Sequence, residues 1–163
     1  MTGRLRCCWT AKNYFNMKFI KVTEDKKKYL DLLLLADEQE DMIDRYLFQG
    51  EMFVLKDQEV IAAAVVVDAG SGMCELKNLA VRPVFQRQGY GRKMVELLCC
   101  YYTGQFHGMI VGTGDVPKTV LFYESCGFQR SHVKKNFFTD NYDHPIWEDG
   151  ILLQDMVYLF KKI

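Results

Sequence analysis

The sequence predicts an α/β protein built on one mixed sheet with helices on its faces. Three observations carry this. Apolar runs of strand length recur along the chain, segments between them repeat apolar residues at helical spacing, and Gly, Asp and Pro punctuate the joins. With 163 residues and a formal net charge of zero, the chain suits a single domain with one sizeable core.

Residues 1–16 are basic through Arg4, Arg6 and Lys12, but lack the apolar stretch and cleavage site of a secretory signal. They read as an N-terminal extension to a domain spanning 17–163. Residues 19–22 form a first strand. Thr23 or Asp25 is placed to cap a helix reaching about residue 36, with Leu30, Leu33 and Leu34 on one face. A second short helix carries Met42, Ile43, Tyr46 and Leu47 and ends at Gly50. Residues 52–56 and 60–67, joined by Asp57-Gln58-Glu59, read as a hairpin. Gly70-Ser71-Gly72 turns into a fourth strand, 74–81, which Arg82-Pro83 ends. A glycine-bearing loop opens a helix running to Tyr102, with Met94, Leu98 and Tyr101 as its packing stripe. A fifth strand (109–112), a helix (118–126) stopped by Gly127 and a sixth strand from Phe128 follow. A long acidic and aromatic loop, roughly 138–150, leads to a last strand, 151–160.

Charge balance and composition exclude some functions. A neutral chain gives no support for nucleic-acid binding driven by bulk charge. No apolar run approaches the roughly 20 residues that a membrane span needs. Six cysteines occur, including the adjacent pairs Cys7-Cys8 and Cys99-Cys100, but none forms Cys-x-x-Cys. Reduced thiols and a cytoplasmic setting are the expectation. No His, Cys and Asp cluster has metal-ligand spacing, so no metal is expected.

The most chemically informative stretch is Gln86, Arg87, Gln88, Gly89, Tyr90, Gly91, Arg92 and Lys93, set between a strand and a helix start. Unpartnered N–H groups and the helix dipole favour an anion there, and the cationic side chains add charge. Two common nucleotide readings fail on spacing. A dinucleotide fingerprint needs glycine where Met94 stands, and a P-loop needs Gly-Lys followed by Ser or Thr.

What remains, Gln/Arg-x-x-Gly-x-Gly/Ala, resembles the pyrophosphate loop of the GNAT superfamily of N-acetyltransferases. A second stretch, Thr119-Val120-Leu121-Phe122-Tyr123-Glu124-Ser125-Cys126-Gly127-Phe128, resembles that superfamily's Tyr-bearing helix and turn. The tail around Asp140, Trp147 and Met156 is similar to that of a subgroup of small bacterial members. The resemblance covers about 17–163 and implies a mostly antiparallel twisted sheet of about seven strands, splayed between the fourth and fifth.

The resemblance also implies roles. Acetyl-CoA would be the donor, its pyrophosphate held by the loop. Backbone groups of Leu79, Ala80 and Val81 would hold the thioester and pantetheine. Thr119 stands where many members place an Asn facing the pantetheine. Tyr123 would protonate the leaving thiolate, and Glu75 would be the base that frees an amine, with a water chain as the alternative. The acceptor would be a primary amine of a small molecule or peptide. Asp37, Glu38, Glu40, Asp41 and Asp44, with Asp140, Asp143, Glu148 and Asp149, suggest a cationic one, set against the reading of two solvated acidic loops. A homodimer is common in such folds, though nothing in the sequence specifies one. The rival readings are a non-catalytic CoA-binding or regulatory module and an enzyme using another acyl-CoA.

Overall fold

The computed structural model describes residues 16–163, so the expected N-terminal extension lies, apart from Asn16, outside the described residues. Seven strands form the central sheet: β1 (Lys18–Val22), β2 (Glu51–Lys56), β3 (Val60–Gly70), β4 (Met73–Val81), β5 (Gly108–Gly114), β6 (Gln129–Lys134) and, last in the chain, the strand Met156–Lys162. A two-stranded ribbon, β7 (Trp147–Glu148) with β8 (Ile151–Leu152), precedes that last strand, which is therefore β9. The sheet order is β1-β2-β3-β4-β5-β9-β6. Every neighbouring pair is antiparallel except β4 with β5.

Helices cover both faces. One core layer packs α3 (Tyr90–Tyr102) and α4 (Pro117–Ser125) on the sheet through Phe53, Leu76, Met94, Leu98, Met109 and Val120. The opposite layer sets α1 (Leu30–Leu33) and α2 (Glu40–Leu47) over Met52, Val54, Ala63 and Val65. Alternation along β2 and β3 sends successive residues to the two layers, which is why both strands read as nearly continuous apolar runs.

Four expectations are corrected. The first helix is a 3-10 turn, Lys26–Tyr29, followed by only one α turn, and Leu32 and Leu33 are its buried residues. Asp25 has φ 48° and makes no capping bond, so it turns the chain instead of starting a long helix. Gly50 is not a left-handed cap; a Cβ there would lie 2.8 Å from Val65 Cγ1, so glycine permits close helix–sheet approach. The α3 stripe is Met94, Val95, Leu98 and Tyr102, while Tyr101 is only partly buried. Finally, the long loop is structured. It holds α5 (Phe137–Asn141) and the β7–β8 ribbon, and β9 starts only at Met156. Asp149 and Gly150 have φ of 48° and 76°, the positive values that a tight Asp-Gly hairpin turn requires.

Among the described residues, Cys74, Cys99 and Cys126 are free thiols. Cys100 is disulfide-bonded, which departs from the reduced-thiol expectation. No helix among the described residues is long and apolar enough to cross a membrane.

Candidate active site

The site begins with one irregular residue in β4. Val65 pairs with Asn78 but Val66 pairs with Leu76, so Lys77 is an extra residue, a bulge. Before it, Cys74 and Leu76 point into the α3–α4 layer. After it the parity flips: Leu79 and Val81 take that face, and Ala80 points into the α1–α2 layer. A bulge bends its strand, and the pairing with β5 stops there: it runs from Met73–Gly108 to Leu76–Val111 and no further. Beyond that point β4 and β5 diverge.

Divergence leaves main-chain groups free. Arg82 N–H bonds the carbonyl of Ile61 on the β3 side. Donors alternate along a strand, so the Ala80 amide also faces β3, while those of Leu79 and Val81 face the open side. Of the three expected backbone contacts, two therefore face the gap through their amides and Ala80 does not.

The gap is the apex of a cleft of about 620 Å³. Both diverging strands line it, together with Gln86, Thr119, Tyr123 and segments of the α1–α2 connection, α5 and the β7–β8 ribbon. At the end formed by the glycine-bearing loop, Gln86 Nε2 donates to the Val81 carbonyl at 3.0 Å and Gln88 Nε2 to that of Val84 at 3.0 Å, which fixes the loop. Arg87 and Gly89 have φ of 62° and 89°, folding the chain into a concave turn before α3. The first α3 bond runs from Lys93 N–H to the Gly89 carbonyl at 2.9 Å, so the amides of Tyr90, Gly91 and Arg92 have no intrahelical acceptor. A Cβ on Gly91 would lie 3.2 Å from Phe122 Cζ, so glycine here lets α3 and α4 meet. This cradle of outward amides and two positive-φ residues fits a pyrophosphate.

The three cations of the loop separate into different roles. Arg92 donates to the Ser125 carbonyl at 2.8 Å and to Ser125 Oγ at 3.0 Å, tying α3 to α4. Lys93 lies 3.5 Å from Glu96. Arg87 makes no hydrogen bond or ion pair with the described residues, so its charge is available to a ligand. Tyr90 packs its ring edge-on to Phe85.

Tyr123, on α4, is 8% exposed and packs between Phe122 and Phe128. Burial, then the neighbouring Cys126 and Glu148, push its phenol well above the ordinary value, so it stays protonated at neutral pH. Thr119 Oγ1 donates to Glu148, which anchors the start of α4 to the β7–β8 ribbon. Glu75 lines the cleft, half-buried, with Lys77 Nζ at 3.0 Å. Of the acidic residues singled out from sequence, Asp37, Glu38, Glu148 and Asp149 line the cleft. Glu40 and Asp44 instead pair with Lys27.

One cluster was not legible from sequence. Asn78 is the buried polar residue of the β4 run, 3% exposed. Its Nδ2 donates to the Leu33 carbonyl and to Tyr46 Oη, each at 3.0 Å. Tyr46 in turn donates to Asp37 Oδ2 at 3.2 Å, and Tyr142 donates to Asp37 Oδ1 at 2.9 Å. Burial raises the Asp37 carboxyl above its ordinary range, opposed by the two tyrosine hydrogen bonds. The available signal was a lone Asn inside an apolar strand, because a buried amide must find partners.

An opened sheet with an anion cradle at one end and a protonated phenol in its wall defines a class of acyl-transferring protein, and comparison gives the family. Residues 48–130 match the family described as acetyltransferase (GNAT) domain. The chain belongs to this family. It is 31% identical over 153 residues to the uncharacterised N-acetyltransferase YvbK of Bacillus subtilis strain 168, covering 89% of this chain and 97% of that protein. Among solved structures it is similar to a GNAT family acetyltransferase from Elizabethkingia anophelis with acetyl-CoA bound. That match has 34% identity and a TM-score of 0.85, over 91% of this chain and 99% of the other. It is also similar to a Bacillus subtilis acetyltransferase in complex with CoA, at 28% identity and a TM-score of 0.81, over 90% and 99% of the two chains.

Proposed function

We propose that this acetyltransferase moves an acetyl group from acetyl-CoA directly to a primary amine of a small molecule or peptide. The observation that carries the reading is the divergence of β4 from β5 beyond Leu76 and Val111, joined to the amide cradle before α3. The acetyl-CoA and CoA bound in the two similar structures support the choice of donor. Arg87 and the amides of Tyr90, Gly91 and Arg92 bind the pyrophosphate. Leu79 and Val81 direct amides toward the pantetheine arm and the thioester oxygen, where negative charge grows as the amine attacks; donors aimed at that charge are a large catalytic term. The C–N bond forms as the C–S bond breaks. Glu75 or water takes the proton from the nitrogen, and Tyr123 Oη–H donates to the departing sulfur.

The test is mass-spectrometric detection of acetylated product with acetyl-CoA and a panel of amines, alongside Tyr123→Phe. Loss of the phenol lowers kcat by roughly 10- to 100-fold, with the KM for acetyl-CoA within a few-fold of the parent. A Tyr123→Phe enzyme of full kcat removes Tyr123 from the chemistry. Acetyl-CoA binding with no product from any amine favours the non-catalytic CoA-binding module.

A further inference from the structure

The cleft has a second end, away from the phosphate loop, and its charges are unequally compensated. Two of its acids have lysine partners: Glu75 with Lys77 at 3.0 Å, and Asp149 with Lys118 at 3.5 Å. Asp37 has no Lys, Arg or His within ion-pair distance among the described residues. Its two oxygens are each aimed by one tyrosine, Tyr46 from α2 and Tyr142 from the segment after α5. The carboxylate also accepts from the Gln39 amide; a carboxylate has about four acceptor sites, so capacity remains for a further donor from the cleft. Apolar surface lies beside them, from Met42, Phe137, Phe138 and Ile146.

A second observation points the same way. Asn78 Oδ1 is a buried acceptor with no partner among the described residues, in a side chain that lines the same cleft. Acceptors that lack donors suit a ligand that brings donors. An alkylammonium carries three. Holding Asp37 ionised in this half-buried position is also unfavourable without a cation, as its raised carboxyl reflects.

We infer that Asp37, oriented by Tyr46 and Tyr142, is the residue that binds the acceptor's ammonium group, and that the acceptor is a cationic amine with an apolar or aromatic body. This rests on the acetyl-transfer reading and deepens it by assigning the acceptor class. Tyr46 and Tyr142 are positioning residues: they set the carboxylate direction and tie α2 and α5 across the cleft. Lys77, 5.8 Å from the Tyr46 ring centroid, pairs directly with Glu75 and reaches Asp37 only through a weaker long-range attraction, so Asp37 has no direct cation partner among the described residues.

The experiment uses the full chain in the presence of CoA, which carries no acetyl group, so that binding is read without turnover. Phenylethylamine and putrescine are titrated calorimetrically, with phenylethanol and phenylacetate as neutral and anionic counterparts. The expected result is that at least one amine binds tenfold or more tightly than phenylethanol, with phenylacetate weakest. Asp37→Asn then weakens amine binding by roughly 10- to 100-fold, as for loss of a charge-assisted hydrogen bond, and leaves CoA affinity unchanged. Tyr142→Phe gives a smaller loss in the same direction. Equal binding of all four probes, tighter phenylacetate, no binding by either amine, or an Asp37→Asn protein that keeps the preference each overturns the assignment. The same amines are then assayed with acetyl-CoA. An amine preference without acetylated product leaves the subsite standing and removes the transfer reading; product formation that is indifferent to Asp37→Asn does the reverse.

Discussion

At the scale of single residues, the cleft combines groups whose ionisation is shifted for a physical reason. Tyr123 is raised by burial, so it can donate throughout the neutral range. Asp37 is raised from an ordinary value of 3.8, again chiefly by burial. The sign of its effect on stability follows from proton binding. Between its unfolded and folded values the folded state binds more protons, so its contribution is fully present below the unfolded value and is lost as pH rises through the folded one. At neutral pH the ionised carboxylate works against folding. Asp37→Asn is therefore expected to melt at a higher temperature than the parent at pH 7–8, with the difference closing as pH falls toward 4. A variant that melts lower at neutral pH would mean that Tyr46, Tyr142 and Lys77 stabilise the ionised carboxylate more than burial penalises it. Asn78 has a different role. Asn78→Ala removes a buried amide that donates to both the Leu33 carbonyl and Tyr46 Oη, and is expected to lower stability by about 1–3 kcal/mol in chemical denaturation.

At the scale of elements, the phosphate loop separates residues by what already holds them. Arg87, unpaired among the described residues, is expected to act on the ligand: Arg87→Ala raises the KM for acetyl-CoA several-fold with little change in melting temperature. Arg92 is expected to act on the fold. Its two bonds to Ser125 join α3 to α4, so Arg92→Ala lowers stability by about 1 kcal/mol and changes the KM for acetyl-CoA less than Arg87→Ala does. Sequence alone grouped these two arginines, because spacing reports which residues share a loop and not which of them are already engaged. The loop itself, α3, α4 with its Gly127 stop, and strands β1 to β5 were legible from apolar runs and terminators. In contrast, β6 is exposed along its length and was read only from its place after Gly127, and the last strand was expected to begin at residue 151, ahead of the observed β9. The bulge at Lys77 was not, because nothing local marks an extra residue in a strand; only the flip in which residues are buried reveals it. The ribbon at Asp149-Gly150 carried its turn signal, but the strands beside it are two residues each, too short for a period to show.

At the scale of the whole molecule, the cleft exists because one parallel pair in an otherwise antiparallel sheet is only half closed. Four register pairs join β4 to β5, and the rest of each strand turns its backbone to the gap. The proposed donor end is built from local sequence, a loop and the helix after it, so its loop-and-helix form is legible as a local pattern. The acceptor end is assembled from distant pieces: Asp37 meets Tyr142 across 105 residues of chain, and Asn78 meets Leu33 across 45. No local pattern announces such a meeting. A ligand that spans β4, β5, α3 and α4 should stabilise the fold as a unit. At about 100 times its Kd, acetyl-CoA is expected to add roughly 2.7 kcal/mol, a rise in melting temperature of about 5–10 °C.

The most direct test of the central claim is a mass-spectrometric time course of the purified protein with acetyl-CoA and the amine panel, in parallel with Tyr123→Phe. An amine gaining one acetyl group in step with CoA release, slowed by roughly 10- to 100-fold in Tyr123→Phe, is the predicted result. Saturable acetyl-CoA binding with no acetylated product from any amine would contradict it, leaving a cleft that holds the donor without transferring from it.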